Sequence, residues 1–226
     1  MVFRYLVPVA ILLTVFLVSG SSKPVEYYLL ATMVFYIFTL PMNISYEMKD
    51  GVLFGKYARQ LLLPIDMHFF YLLQSVGIML VPFLIRLVVF CGLFVVFKVP
   101  ILFTWNSLAA LLFALIFGLL ISFAFEILIG NTSFWLPDNK FLLQGYQDLV
   151  VFLTGSVIPL VGILSWLSYT PFAFAVYHPM MIYQNKYSLQ QIIQLVGSGL
   201  LWFIFILAIS RHLFRYGLKR NESVGL

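Results

Sequence analysis

Gly51-Val52-Leu53-Phe54-Gly55-Lys56 is the first stretch whose residue types suggest chemistry, since glycines ahead of a lysine can cradle a phosphate. A phosphate loop, however, needs four residues between those glycines and a Ser or Thr after the lysine to meet magnesium. Here the glycines are closer and Tyr57 follows Lys56, so this motif does not bind ATP. Gly197-Ser198-Gly199 is not a nucleophile elbow either, because its flanks are wrong and no oriented His-Asp pair accompanies it. Its small residues are expected to let the last helix pack closely. His68, His178 and His212 lie far apart, and a metal site built from them is not expected. The lone Cys91 excludes an intrachain disulfide and a cysteine-cluster metal site. Three charges remain inside apolar runs: Arg86, Glu126 and Asp148. Charges at membrane depth are functional suspects by default. Arg86 is expected to point into protein and meet a carboxylate, Glu126 first and Asp148 second. Mutual neutralisation, or snorkelling to the surface, is the alternative to a direct role with substrate.

The elements that must hold these residues follow from composition. The 226-residue chain is 63% hydrophobic and 9% charged, with mean hydropathy +1.05. A soluble domain of this length needs far more charge to cover its surface. Several runs reach the roughly 20 apolar residues of a helical span, and the short alternating strands of a barrel are absent. The fold class is therefore an all-α integral membrane protein, a single transmembrane domain over residues 1–226. The basic residues gather at span ends and form no patch for nucleic acid.

Residues 45–70 form the one long polar interruption before the C-terminal tail. They carry Glu47, Lys49, Asp50, Lys56, Arg59 and Asp66, six of the chain's charges. Leu53, Phe54, Tyr57, Ala58 and Leu61 recur on one helical face, with Gly55, Lys56, Arg59 and Gln60 on the other. That pattern predicts an amphipathic helix at the membrane surface, able to receive force from a soluble partner. A solvated loop with a short surface helix is the alternative.

In chain order, residues 2–18 form a first span, expected to be retained, and residues 25–40 a second, ended by Pro41. Pro64 stops the surface helix and Asp66 is placed to cap the next. That third helix runs from near Met67 towards Phe97, past Pro82, and is long enough that its first part is expected to lie along the interface. A fourth span covers about residues 104–129, followed by a polar loop around Phe134-Trp135. A fifth covers about residues 141–164. Residues 165–187 are apolar but broken by Pro171 and Pro179, which predicts two short re-entrant helices, the first opened by Thr170 as cap and Pro171. The last span covers about residues 189–209 and ends in a basic tail.

Arg4, Lys49, Lys56, Arg59, Lys140, Arg211, Arg215, Lys219 and Arg220 fall on one side of this six-span topology, and Lys23, Lys98 and Lys186 on the other. The positive-inside rule makes the first side cytoplasmic, with both termini there.

Several pieces carry a resemblance in their order and spacing: Glu47, Asp50-Gly51 and Leu62-Leu63-Pro64, then Phe134-Trp135, then Pro171-Phe172-Ala173 followed by Pro179, then the basic, aromatic end from Arg211 to Gly217. From about Glu26 onwards the chain resembles the permease subunits of type-2 ABC exporters, in the six-span "ABC-2 family transporter" branch. Two features depart from that pattern. The family usually has an amphipathic helix before the first span, and the glycine common after the second proline is replaced by Gln184-Asn185. The resemblance implies a membrane half that pairs with a second half, identical or related, and with two soluble ATPase subunits. ATP and magnesium would belong to those partners, and no cofactor is expected in this chain. It also implies that the segment after the second span couples ATPase closure to the transport path. The residues expected to do so are Glu47, Lys49, Asp50, Gly51, Lys56 and Arg59. The expected setting is a bacterial cytoplasmic membrane, with lipids around the bundle and no bond chemistry in this subunit. An intramembrane enzyme using Glu126 or Asp148 with a histidine, or a non-transporting anchor, are the competing readings.

Overall fold

The computed structural model describes residues 31–35, 44–54, 64–96, 104–136, 138–154, 160 and 162–222. Among them the regular structure is helical. We number the α-helices α1 (Ile44–Leu53), α2 (Met67–Val96), α3 (Trp105–Asn131), α4 (Lys140–Leu153), α5 (Tyr177–Tyr183) and α6 (Leu189–Glu222). Short 3-10 turns occupy Thr132–Phe134, Gly162–Tyr169 and Pro171–Phe174. Three stretches are long and apolar enough to cross a membrane: Met67–Val89, Trp105–Phe134 and Leu189–Lys219. The first span and most of the second lie outside the described residues.

Helix α3 is the centre of the bundle and touches α1, α2, α4, α5 and α6. Half of its most apolar stretch is buried, against about a tenth in α2 and α6. Its start is fixed by a capping box, with Thr104 Oγ1 accepting from the Ser107 amide at 3.2 Å and Ser107 Oγ from the Thr104 amide at 3.0 Å. Asp66 caps α2 in the expected way, its Oδ1 accepting from the amides of His68 (2.9 Å) and Phe69 (3.2 Å). Pro82 stays inside α2 without ending it.

Two apolar clusters lie along α3. Towards its start, Phe113, Phe117 and Phe174 stack with centroids 4.6–6.2 Å apart, joined by Ala31, Val34 and Ala110. Towards its end, Ile44, Met48, Tyr71, Phe123, Ile127 and Phe214 close together. Ala31 and Val34 therefore join the cluster along the early part of α3, and Ile44 and Met48 the cluster along its late part. Lipid offers apolar groups as good a surrounding as protein does, so close backbone approach decides such packing. Gly199 supplies it where α6 meets α3, since a Cβ there would run into the rings of Phe117 and Phe174. Gly197 faces open space, so the expected close approach belongs to Gly199 alone.

Several boundaries differ from those expected. Helix α4 ends at Leu153 with Thr154 as its cap, and 14 residues reach only about 21 Å. The chain is then in 3-10 form from Gly162 to Tyr169, so no single helix runs from residue 141 to 164. Helix α6 does not stop near residue 209 but continues through the basic tail to Glu222. The apolar stretch of α2 that is long enough to cross a membrane begins at Met67 and reaches Val89. Pro179 does not break a helix, because it sits in the first turn of α5, where a missing amide hydrogen is no loss.

Candidate functional site

The polar end of the bundle is assembled from five elements that the sequence separates widely. Helix α1 contributes Glu47, Lys49, Asp50 and Gly51. Its buried face is Ile44, Ser45, Met48 and Gly51, one turn apart, and most of the amphipathic surface helix expected from Leu53 to Leu61 lies outside the described residues. Phe54 is 70% exposed and Leu53 48%, so these two side chains are presented outward. Glu47 Oε2 accepts from Gln74 Nε2 at 2.5 Å, which ties α1 to α2. Lys49 Nζ lies 3.8 Å from Asp138 Oδ1, ahead of α4, and 6.0 Å from the Tyr46 ring centre. Gly51 is helical and buried, so it does not form a turn. Lys56 and Arg59 lie outside the described residues.

Below α1 is a buried polar knot. Asn131 Nδ2 donates to the Ser210 carbonyl (2.8 Å) and hydroxyl (2.9 Å), joining α3 to α6. Asn139 Nδ2 donates to the Ile129 carbonyl and to Ser133 Oγ, both at 3.1 Å, and Ser133 Oγ donates back to the Gly130 carbonyl at 2.5 Å. Asn131, Asn139 and Ser210 have no exposed surface. The segment expected to be a polar loop is therefore the join between α3, α4 and α6. Burial makes each of these hydrogen bonds costly to break.

Phe134 is the apolar half of the same join. It meets Phe214 edge-on at 5.9 Å, and Phe214 meets His68 edge-on at 5.6 Å. A Cβ on Gly217 would run into Phe134, so the glycine lets the 3-10 turn seat against α6. Asp66, besides capping α2, lies 3.7 Å from Arg211 Nη2 and 3.6 Å from His68 Nδ1. The end of the central stretch, the Phe134-Trp135 turn and the basic tail thus share one end of the molecule, as the charge distribution predicts. Asn131, Asp138 and Asn139 stand in the sequence as the polar frame of Phe134-Trp135, whereas nothing there points to Gln74 or Ser210. The pairs Asn131/Ser133 and Asp138/Asn139 bracket Phe134-Trp135, and that polar bracket was the signal for a folded turn.

The three charges expected at membrane depth differ in their surroundings. Glu126 is 7% exposed and its Oε2 accepts from the Ser45 amide at 3.4 Å. Arg86 is half-buried on α2 and Asp148 exposed on α4.

At the opposite end, Pro171 opens its turn at the first position, but Thr170 makes no capping bond and donates instead from Oγ1 to the Leu167 carbonyl at 2.7 Å. Helix α5 closes in a Schellman motif: the Lys186 amide donates to the Met181 carbonyl and that of Asn185 to Ile182, both at 3.0 Å. Asn185 takes φ of 57°, the left-handed position that glycine otherwise fills. Asparagine tolerates this conformation better than most residues, and Asn185 Oδ1 also accepts from Asn106 at the start of α3. Trp202 Nε1 donates to the Tyr169 carbonyl at 3.0 Å, fastening this end to α6.

Compared with protein families, the chain matches the ABC-2 family transporter protein over residues 5–225. It belongs to the ABC-2 transporter family. Comparisons with curated proteins and with solved structures give no match. Family membership makes the chain a multi-pass membrane protein and the permease subunit of an ABC transporter, a transport component and not itself the catalyst. In this ABC-2 permease, the described residues place α1 and its charges at the end where α2 begins and α3 and α6 end.

Proposed function

We propose that this permease forms one half of the substrate path of an ATP-driven exporter in a bacterial cytoplasmic membrane, with a second permease half and two ATPase subunits. The polar end faces the cytoplasm and α1, with the residues that follow it, receives the ATPase stroke. One observation carries this reading: α1 exposes Tyr46, Leu53 and Phe54 outward while its opposite face and two of its charges are tied to α2, α3 and the turn before α4. A displacement applied to its outer face is therefore delivered to the bundle and not lost in a loose loop. Of the coupling residues, Glu47 and Lys49 fasten α1 internally, which leaves Asp50, Lys56 and Arg59 as the charges for the ATPase cleft.

Rim charges are individually worth little, about 1 kcal/mol or less, so a single alanine is a weak test. Replacing Lys56→Glu together with Arg59→Glu reverses two charges at once. ATPase co-purification and coupled ATP turnover, measured in the same membrane for wild type and the double variant, are expected to fall while insertion is unchanged. Normal partner binding with normal coupled turnover in the variant refutes the coupling assignment.

A further inference from the structure

We infer that Glu126 is a positioning residue for the coupling helix: from inside α3 its carboxylate caps the N-terminal end of α1 and makes the two helices move as one. The first amides of any helix have no partner within it and carry partial positive charge, so an anion placed there is stabilising. Asp, Asn, Ser or Thr on the same chain segment usually does this. Here an acceptor comes from 81 residues away: Glu126 Oε2 faces the Ser45 amide at 3.4 Å. One turn later the same two helices interlock by shape, since a Cβ on Gly130 would stand 3.1 Å from Met48 Cβ. Charge at the first turn and close approach at the second define both the position and the rotation of α1 on α3. Ser45 Oγ is buried and makes no hydrogen bond among the described residues, so Ser45 takes part through its main chain alone.

The arrangement also explains why a carboxylate is tolerated at this depth. A buried carboxylate is costly unless hydrogen-bonded, and the Ser45 amide supplies a bond at the positive end of a helix dipole. Gln at this position would keep an acceptor but lose the charge. The consequence for transport rests on the reading proposed above. If α1 takes the ATPase stroke, Glu126 passes it to α3, the helix that touches every other described helix.

Met48→Cys with Gly130→Cys, in a Cys91→Ser background, places two Cβ atoms close to disulfide reach, about 3.8 Å. Cross-linking yield in membranes then reports the docking of α1 without any requirement for activity. Glu126→Gln and Glu126→Leu are expected to cut the yield about fivefold, whereas Ser45→Ala leaves it unchanged because the amide remains. If Glu126→Leu does not insert, the Gln variant decides alone. Unchanged yield in Glu126→Gln, or an equal loss in Ser45→Ala, overturns the inference. In the complex with its ATPase, wild-type yield is expected to stay constant between nucleotide-free and vanadate-trapped states and to fall on trapping in Glu126→Gln. A simple structural role predicts the same loss in both states, which also overturns the linked movement. Should no ATPase accompany the wild-type chain, the exporter reading falls, while the cross-linking comparison still decides the cap.

Discussion

His178 sits between the Ser168 carbonyl, 2.9 Å from Nε2, and the Tyr187 hydroxyl, 3.0 Å from Nδ1. A carbonyl can only accept, so Nε2 carries the hydrogen and Nδ1 accepts from Tyr187, a neutral imidazole. Burial pushes its pKa down to about 4, and the Ser168 carbonyl opposes this more weakly. Around the ring stand the phenols of Tyr177 and Tyr187 and the Phe174 ring. With the folded pKa below the ordinary 6.5, the unfolded segment binds the proton more readily. The contribution of this contact is complete above about pH 6.5 and is lost as the pH falls towards 4, to a total of about 3 kcal/mol. Acidifying the medium on this side from pH 7.5 to pH 4.5 is therefore expected to loosen the 3-10 turns. Thiol-reagent labelling of Ser168→Cys in a Cys91→Ser background, corrected for thiolate fraction, checks it: the corrected rate should rise on acidification and lose that rise in His178→Phe. A corrected rate independent of pH in the parent contradicts the assignment.

At the scale of elements, the starts of α2 and α3 were legible, while the ends of α4 and α6 were not. Asp66 and Thr104 are short polar side chains at the head of apolar runs, and both cap as their chemistry requires. The end of α4 was marked in the sequence by Gly155 just past the cap at Thr154, but the apolar residues on both sides of it read as one continuous span. The continuation of α6 was hidden for the opposite reason. Arg211, Arg215 and Lys219 end a span but not a helix, and Phe214 and Gly217 keep the register that docks on Phe134. Glu126 was visible as an unusual charge, but its partner is a main-chain amide, which no side-chain pattern reveals. The described pieces between α4 and α6 are Gly162–Tyr169, Pro171–Phe174 and Tyr177–Tyr183, none of which alone has the length of a span, and a segment so interrupted is expected to dip into the membrane and return. Both of its ends should then be reachable from one side. Cysteines placed singly at Ser168 and Lys186 are expected to react with an impermeant reagent added outside the cell. Labelling of one from outside and the other only from inside would mean that the segment crosses.

The whole molecule leaves much of two long helices unpacked. Val76, Leu80, Leu84 and Val88 of α2, and Ile193, Leu201 and Ile204 of α6, are exposed apolar side chains. In a bilayer such surface can face lipid or protein without penalty, so its apolarity alone does not demand a partner. The demand comes from function. A path for substrate needs walls on all sides, whereas this bundle is filled at its centre by α3 with the aromatic cluster of Phe113, Phe117 and Phe174 at one end and the Asn131-Ser210 knot at the other. Substrate passing through the middle of the described bundle would have to break both. A path between two copies, or between this chain and a related half, leaves both intact. Two permease halves are therefore expected in one particle after extraction in gentle detergent. Co-expression of differently tagged copies separates the cases: capture of one tag by the other indicates identical halves, and its absence with a second permease present indicates a mixed pair. A monodisperse single copy that transports after reconstitution would contradict both, and would require the path to open through the core that α3 now fills.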